Sequence, residues 1–261
     1  MARRAYWDDN YVRYWRERTT HHDRAHAAGD CVPADVREFE RYLDNLPVKP
    51  GDRVLDVGVG FGRLVPSLLR RGAVVYGVDI SPQMISEAHR QVGTDVRELC
   101  VDAVEELRYD DCSFDHVICW AVFDASDQGE ALRQMARVLK TGGRLLLSGK
   151  NDDYPDDDER GYVAEVNARA KGHPNFFTNL AKLLDALKTL GMREEHAFYI
   201  VRRGDSSDSR FSTVPPARFY EYIMICAKER HVETNQQFDV AQPVSVTCAR
   251  KQAAARTESG Q

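Results

Sequence analysis

Val54-Leu55-Asp56-Val57-Gly58-Val59-Gly60-Phe61-Gly62 joins a short apolar, β-branched run to three glycines spaced every second residue. The apolar part reads as a strand. A strand ending in closely spaced glycines lets a ligand approach the backbone where a side chain would collide. The helix expected next, over residues 63–71, offers unpaired amide groups at its start. The turn therefore reads as a cofactor cradle, and a tight strand-to-helix turn without a ligand is the plain alternative. Spacing narrows the ligand: the dinucleotide fingerprint GxGxxG needs glycine where Arg63 stands. That disfavours a nicotinamide or flavin enzyme.

Working outward, apolar and helical patterns alternate. Residues 73–78 form the next strand, 82–91 a helix, 96–101 and 114–120 strands, 129–139 a helix and 144–147 a strand. Such alternation predicts a mostly parallel sheet with helices on both faces. Beyond it lie an acidic stretch at 151–160 and a helical region interrupted near Gly172-His173-Pro174. Two apolar segments, 196–201 and 219–227, then read as a closing antiparallel pair. Upstream, Trp7, Tyr11, Tyr14 and Trp15 fall near helical spacing, and residues 35–46 form a second helix stopped by Pro47, Pro50 and Gly51. After residue 230 the chain is mostly polar, with only 244–248 hinting at a short strand, so a poorly ordered tail is expected over 230–261.

Composition restricts the partners. Lys and Arg total 36 against 41 Asp and Glu, a net charge of -5 over 261 residues, so no global positive field exists to hold a polyanion. No apolar run of about 18 residues is present to span a membrane. The six cysteines, Cys31, Cys100, Cys112, Cys119, Cys226 and Cys248, include no CxxC pair. That suits reduced thiols in a cytoplasmic protein better than a disulfide framework or a zinc site.

Two acids complete the cradle. Asp79 closes the next strand, about twenty residues beyond the glycines, where a carboxylate can accept hydrogen bonds from both ribose hydroxyls of an adenosine. Asp102 ends the third strand, where its carboxylate or neighbouring amides can meet an adenine edge. Three successive strand ends thus place polar groups along one sheet edge. Here the sequence resembles the class I S-adenosylmethionine-dependent methyltransferases. Asp56 to Gly62 is similar to their motif I, Val78 to Ser81 to the acidic second-strand motif, and Val101 to Ala103 to the third-strand motif. Arg137-Val138-Leu139-Lys140-Thr141-Gly142-Gly143 resembles the RVLKPGG turn, with Thr141 in place of proline.

The resemblance implies an α/β, Rossmann-like, seven-stranded and mostly parallel sheet. It would have an antiparallel C-terminal strand pair, a helical lid or cap at residues 1–50, an insertion after strand five and the methyltransferase domain at 51–229. It implies S-adenosyl-L-methionine as cofactor, with Asp56, Gly58, Gly60 and Gly62 at its methionine part and Asp79 on the ribose. Ile80 and Met84 would pack against adenine beside Asp102 and Ala103. Trp120 lines the pocket or belongs to the core. Tyr11, Tyr14 and Trp15 shield the sulfonium from the lid or simply pack, and Arg18 can pair with the cofactor carboxylate.

A hydroxyl or protonated amine acceptor would need a nearby base. Asp124, just after strand four, is the first candidate, with helix capping as its competing role and the N-cap of the next helix as that of Asp127. Tyr154, Lys150 and His173 are candidate acceptor contacts, His173 otherwise capping a helix. The run Asp152-Asp153-Tyr154-Pro155-Asp156-Asp157-Asp158 could hold magnesium, but consecutive aspartates usually form a solvated face, and no metal is assigned. The expected activity is methyl transfer to an oxygen or nitrogen of a small-molecule acceptor, by a monomer or homodimer that engages neither nucleic acid nor membrane. A cofactor-binding regulator without turnover and a nucleic-acid methyltransferase are the alternatives. The second lacks an NPPY-like tetrapeptide after strand four and a basic arm.

Overall fold

The structure is a computed structural model that describes residues 34–170, 175–204, 211–242, 250, 251 and 253. The expectations for Tyr11, Tyr14, Trp15, Arg18, His173 and the 244–248 strand lie outside the described residues.

Strand β1 (Arg53–Val57) runs parallel to β2 (Val74–Asp79) on one side and to β4 (Phe114–Cys119) on the other. Strand β3 (Glu98–Val101) pairs with β2, and β5 (Leu139–Lys150) with β4, again in parallel. Between them run α2 (Val65–Leu69), α3 (Pro82–Val92) and α4 (Gln128–Val138), with α1 (Ala34–Leu43) ahead of the sheet. Beyond β5 come α5 (Glu159–Ala170), β6 (Phe177–Thr178), α6 (Leu180–Thr189), β7 (Met192–Ile200), β8 (Phe211–Ser212), β9 (Glu221–Lys228) and β10 (Ala241–Gln242). The main sheet has the order β3-β2-β1-β4-β5-β9-β7-β8. It comprises the seven expected strands, with β9 and β7 as the antiparallel pair, plus the two-residue edge strand β8.

Alternation along each strand builds two cores. Leu55, Val57, Val117, Cys119, Leu145 and Leu147 face one side, where α4 contributes Leu132 and Met135 and α6 contributes Leu183 and Leu187. Val54, Val75, Ile118, Leu146, Ile223 and Ile225 face the other, against Phe39, Tyr42 and Leu43 of α1, Leu68 of α2 and Ile85 of α3. Each such side chain removed from water contributes about 1.5–3 kcal/mol, which explains the near-continuous apolar runs of the central strands. Local signals set the helix starts: the Ser81 side chain accepts from Met84 N with Pro82 in the first turn, and Asp127 caps α4 by accepting from Glu130 N.

Strand β5 is longer than its 144–147 sequence core because it is paired on both flanks, with β4 and with β9. Part of the 230–261 segment is also built into the domain instead of hanging loose. Val240 is buried, Phe238 packs against the first core, and β10 pairs with β6. Further on, Lys251 is buried over the Tyr154 ring. Sparse apolar residues hid this, since two anchors and a two-residue strand leave no periodic pattern.

Candidate active site

The parallel strands all deliver their C-terminal ends to one edge. Gly58 N and Val59 N donate to Val78 O at 2.8 and 2.9 Å, which locks the end of β1 onto β2. Gly60 N then donates to Asp79 Oδ2 at 3.0 Å, and Ser81 N to Asp79 Oδ1 at 2.9 Å. The Asp79 carboxylate braces the turn from both sides, and each oxygen keeps lone-pair capacity for a further donor. Burial holds its pKa above the usual carboxylate range despite these two bonds.

The three glycines divide by what a Cβ would meet. At Gly58 it would strike Val122 and at Gly62 Val92, so both allow the chain itself to pack closely. At Gly60, with φ of +54°, the nearest atom is Gly58 O at 4.0 Å. Gly60 is therefore the glycine that faces open space beside the Asp79 carboxylate. Asp56, only 2% exposed, has an Oδ2 without a hydrogen-bond partner, and burial followed by the Asp79 charge pushes its pKa up to about 7.

Along the same edge, Asp102 accepts from Arg108 N at 3.0 Å and from Ala103 N at 3.2 Å, so its carboxylate and the Ala103 amide both serve the local turn. Ile80 is partly exposed and Met84 is buried. Trp120 lies half-buried against α1, its ring centroid 5.6 Å from those of Phe39 and Tyr42.

On the far side of the β4 end, Asp124 sits in a short 3-10 turn, Phe123–Ala125. Lys150, the last residue of β5, donates to Asp124 Oδ2 and, at 2.6 Å, to Asn175 Oδ1. The Asp124 and Lys150 side chains are 16% and 19% exposed, which leaves the pair enclosed yet reachable. Burial works to lower the Lys150 ammonium, but the surrounding Asp124, Tyr220 and Glu221 hold it above the ordinary lysine value. Glu221, opposite Lys150 in the ladder, has its pKa pushed up to about 7, chiefly by burial. Arg203 donates to the Tyr220 hydroxyl at 2.6 Å.

Tyr154 stands elsewhere. It is fully buried, stacked on Phe177 at 5.5 Å, with its hydroxyl donating to Glu165 and held well above the usual phenol range by burial and that bond. The aspartate run is taken up structurally. Asp153 and Asp156 pair with Arg218, Asp157 with Arg202, and Asp158 accepts from Gly161 N and Arg203 N. A separate group, Asp111, His231 and Glu233, gathers possible ligand atoms within 4.8 Å of one another. There the Lys228 ammonium lies 3.1 Å from His231 Nδ1 and Arg137 holds Asp111, which opposes a cation.

The structure brings the sequence candidates Gly60, Asp79, Asp124 and Lys150 to this edge, together with Glu221, Asn175, Arg203 and Tyr220, which the sequence did not single out. A signal for Glu221 existed: an acid at the head of the apolar run 219–227 is out of place in a plain buried strand.

A family model described as a methyltransferase domain matches residues 55–147, from β1 to β5. Methyltransferase GfsG of Streptomyces halstedii is 29% identical over 211 residues, which make 75% of this chain and 72% of that protein. The 27-O-demethylrifamycin SV methyltransferase of Amycolatopsis mediterranei is 34% identical over 142 residues, 51% of each, so the chain spans about half the length of that relative. Among solved structures, an S-adenosylmethionine dependent methyltransferase from Mesorhizobium loti superposes with a TM-score of 0.58 at 21% identity, over 73% of this chain and 97% of that one. At that identity the likeness speaks for the fold.

Proposed function

We propose that this chain is a class I S-adenosylmethionine-dependent methyltransferase that transfers the methyl group of S-adenosyl-L-methionine to an oxygen or nitrogen of a small-molecule acceptor. The observation that carries this reading is the open space at Gly60 beside the doubly braced Asp79 carboxylate. An open backbone position beside a carboxylate with spare lone pairs has the chemistry an adenosyl ribose requires. Asp79 would accept from the ribose hydroxyls, Gly60 would let the methionine part lie against the backbone, and Met84 and Ile80 would border the adenine. When bound, the cofactor supplies a methyl group already activated for in-line displacement.

The remaining work falls to this chain's own residues. Asp124, Lys150 and Asn175 form a rigid polar wall on the opposite side of the β4 end, suited to orienting an acceptor. Trp120, Phe39 and Tyr42 supply an apolar flank that limits water. A small molecule fits better than a nucleic acid, because the net charge is -5 and the basic groups at this edge are tied up within it, Lys150 to Asp124 and Arg203 to Tyr220. The relative named for 27-O-demethylrifamycin SV supports an oxygen acceptor. Among the described residues no helix is long and apolar enough to cross a membrane.

Calorimetric titration with S-adenosylmethionine, S-adenosylhomocysteine and NAD tests the donor, followed by turnover on a panel of hydroxyl and amine compounds. The first two ligands are expected to bind. Binding of NAD alone overturns the proposal, and cofactor binding without turnover on any acceptor class favours a regulator.

A further inference from the structure

Resting on the methyl-transfer reading, we infer that Glu221 is the group that takes the proton from an acceptor hydroxyl, while Asp124, Lys150 and Asn175 position the acceptor beside it.

Placement comes from the sheet. Glu221 opens β9, and its ladder partners are Lys150, which ends β5, and Ile200, which ends β7. An antiparallel strand inserted between them therefore starts where the parallel strands finish, at the edge that carries Gly60, Asp79 and Asp124. Residues i and i+2 of a strand share a face. Ile223 and Ile225 pack in the core covered by α1, so Glu221 continues that face to its rim, near enough to Tyr42 of α1 for its charge to act on that phenol.

Availability separates Glu221 from Asp124. Lys150 directs its ammonium to Asp124 and Asn175, not across the ladder to Glu221. Asp124 is thus engaged by a cation and held in place, with its own carbonyl accepting from Phe176 N at 2.7 Å. The Glu221 side chain, only partly exposed, takes part in no hydrogen bond or ion pair among the described residues. A partly exposed carboxylate without a protein partner, at the sheet edge that carries Gly60 and Asp79, is open to a ligand.

Its surroundings suit the task. The charged groups that act on it are Lys150 from β5, Arg203 from the segment after β7, Glu38 from α1 and Asp124 from the turn after β4. Burial is the largest influence and raises the pKa, Lys150 and Arg203 oppose it, Glu38 and Asp124 add to it, and the balance is about 7. A base poised near neutrality combines a large ionised fraction with useful proton affinity. In the step, the acceptor oxygen forms its bond to the methyl carbon as the carbon–sulfur bond breaks and its electron pair passes to sulfur. The hydroxyl proton moves to the Glu221 carboxylate. The methyl ether, S-adenosylhomocysteine and a protonated Glu221 result, and Glu221 returns the proton to water.

The test uses the full chain and the variants Glu221→Gln, Glu221→Asp and Asp124→Asn. Carboxyl carbon resonances of labelled glutamate are titrated with S-adenosylhomocysteine present, and methyl transfer to a panel of phenols and alcohols is followed against pH. One glutamate is expected to titrate near 7 and to vanish in Glu221→Gln. That variant should lose roughly 100-fold or more in kcat together with the acidic limb of the profile. Glu221→Asp should retain the limb at reduced rate, and Asp124→Asn should keep it while raising KM. A Glu221 midpoint in the ordinary range near 4, or an acidic limb that survives in Glu221→Gln, overturns the inference while leaving cofactor binding intact. Failure of the wild type to bind S-adenosylmethionine in the calorimeter overturns the methyl-transfer reading itself, and the inference with it.

Discussion

Replacing Asp79 by alanine probes the cradle most directly, because its carboxylate serves the fold and the proposed ligand at once. In the protein alone it accepts from Gly60 N at 3.0 Å and Ser81 N at 2.9 Å. Hydrogen bonds to a charged group each contribute about 1.5–3 kcal/mol. The loss is offset by the desolvation that raises the pKa of Asp79 and by its repulsion of Asp56. A net destabilisation of roughly 1–3 kcal/mol is expected, too little to unfold an ordinary domain. For the ligand, two ribose hydroxyls lose their acceptor, again about 1–3 kcal/mol, which at 1.36 kcal/mol per tenfold is roughly 5- to 160-fold in affinity. Calorimetry with S-adenosylhomocysteine and with its 2′,3′-dideoxy analogue completes a cycle. The wild type should prefer the hydroxylated ligand by that factor, and Asp79→Ala should bind both alike. A folded variant that still discriminates between them would show that the hydroxyls are held elsewhere and that Asp79 only braces the turn.

Gly60→Val should fold with a strain of about 1–2 kcal/mol from its left-handed backbone, yet bind S-adenosylhomocysteine at least tenfold more weakly; normal affinity would refute the open cradle. Asp56→Asn tests a pH effect. With a folded pKa near 7 against an ordinary 3.8, the native state binds more protons than the unfolded one, so wild-type stability falls as pH rises from about 4 to 7. The asparagine variant should show a shallower slope in denaturant titrations, the remainder coming from Glu221 and Asp79, whose pKa values are raised too; an unchanged slope means that Asp56 contributes none of it. Gly129→Ala places a Cβ 2.0 Å from Phe238 O, and should cost about 1–3 kcal/mol in thermal unfolding while exposing the 230–242 segment to protease; an unaltered melting temperature means that this segment is not held against α4.

The donor half of the proposed site was legible in the sequence and the proposed acceptor half was not, for a reason that lies in the topology. Gly60, Asp79 and Asp102 stand at the ends of consecutive parallel strands, so each is announced locally by an apolar run that stops at a glycine or an acid. Sequence distance between them is one βα unit, and the sheet order β3-β2-β1 follows directly. The fold class, the helix cap at Asp127 and the antiparallel closure were visible for the same reason. Lys150 and Glu221 are neighbours only because β9 runs back between β5 and β7, Arg203 follows from the end of β7, and Asn175 joins through Lys150. Nothing around Glu221 in the chain says that Lys150 lies opposite it, or that Lys150 turns toward Asp124. Tyr154 shows the converse: a candidate acceptor contact within an acidic, loop-like run is packed between Phe177 and Tyr220, with Lys251 over its ring, and is fully buried. Acceptor choice in such a sheet is therefore written in pairings between distant segments, and a substitution at Asn175 should alter which acceptor is used without touching the glycine-rich turn proposed to hold the donor.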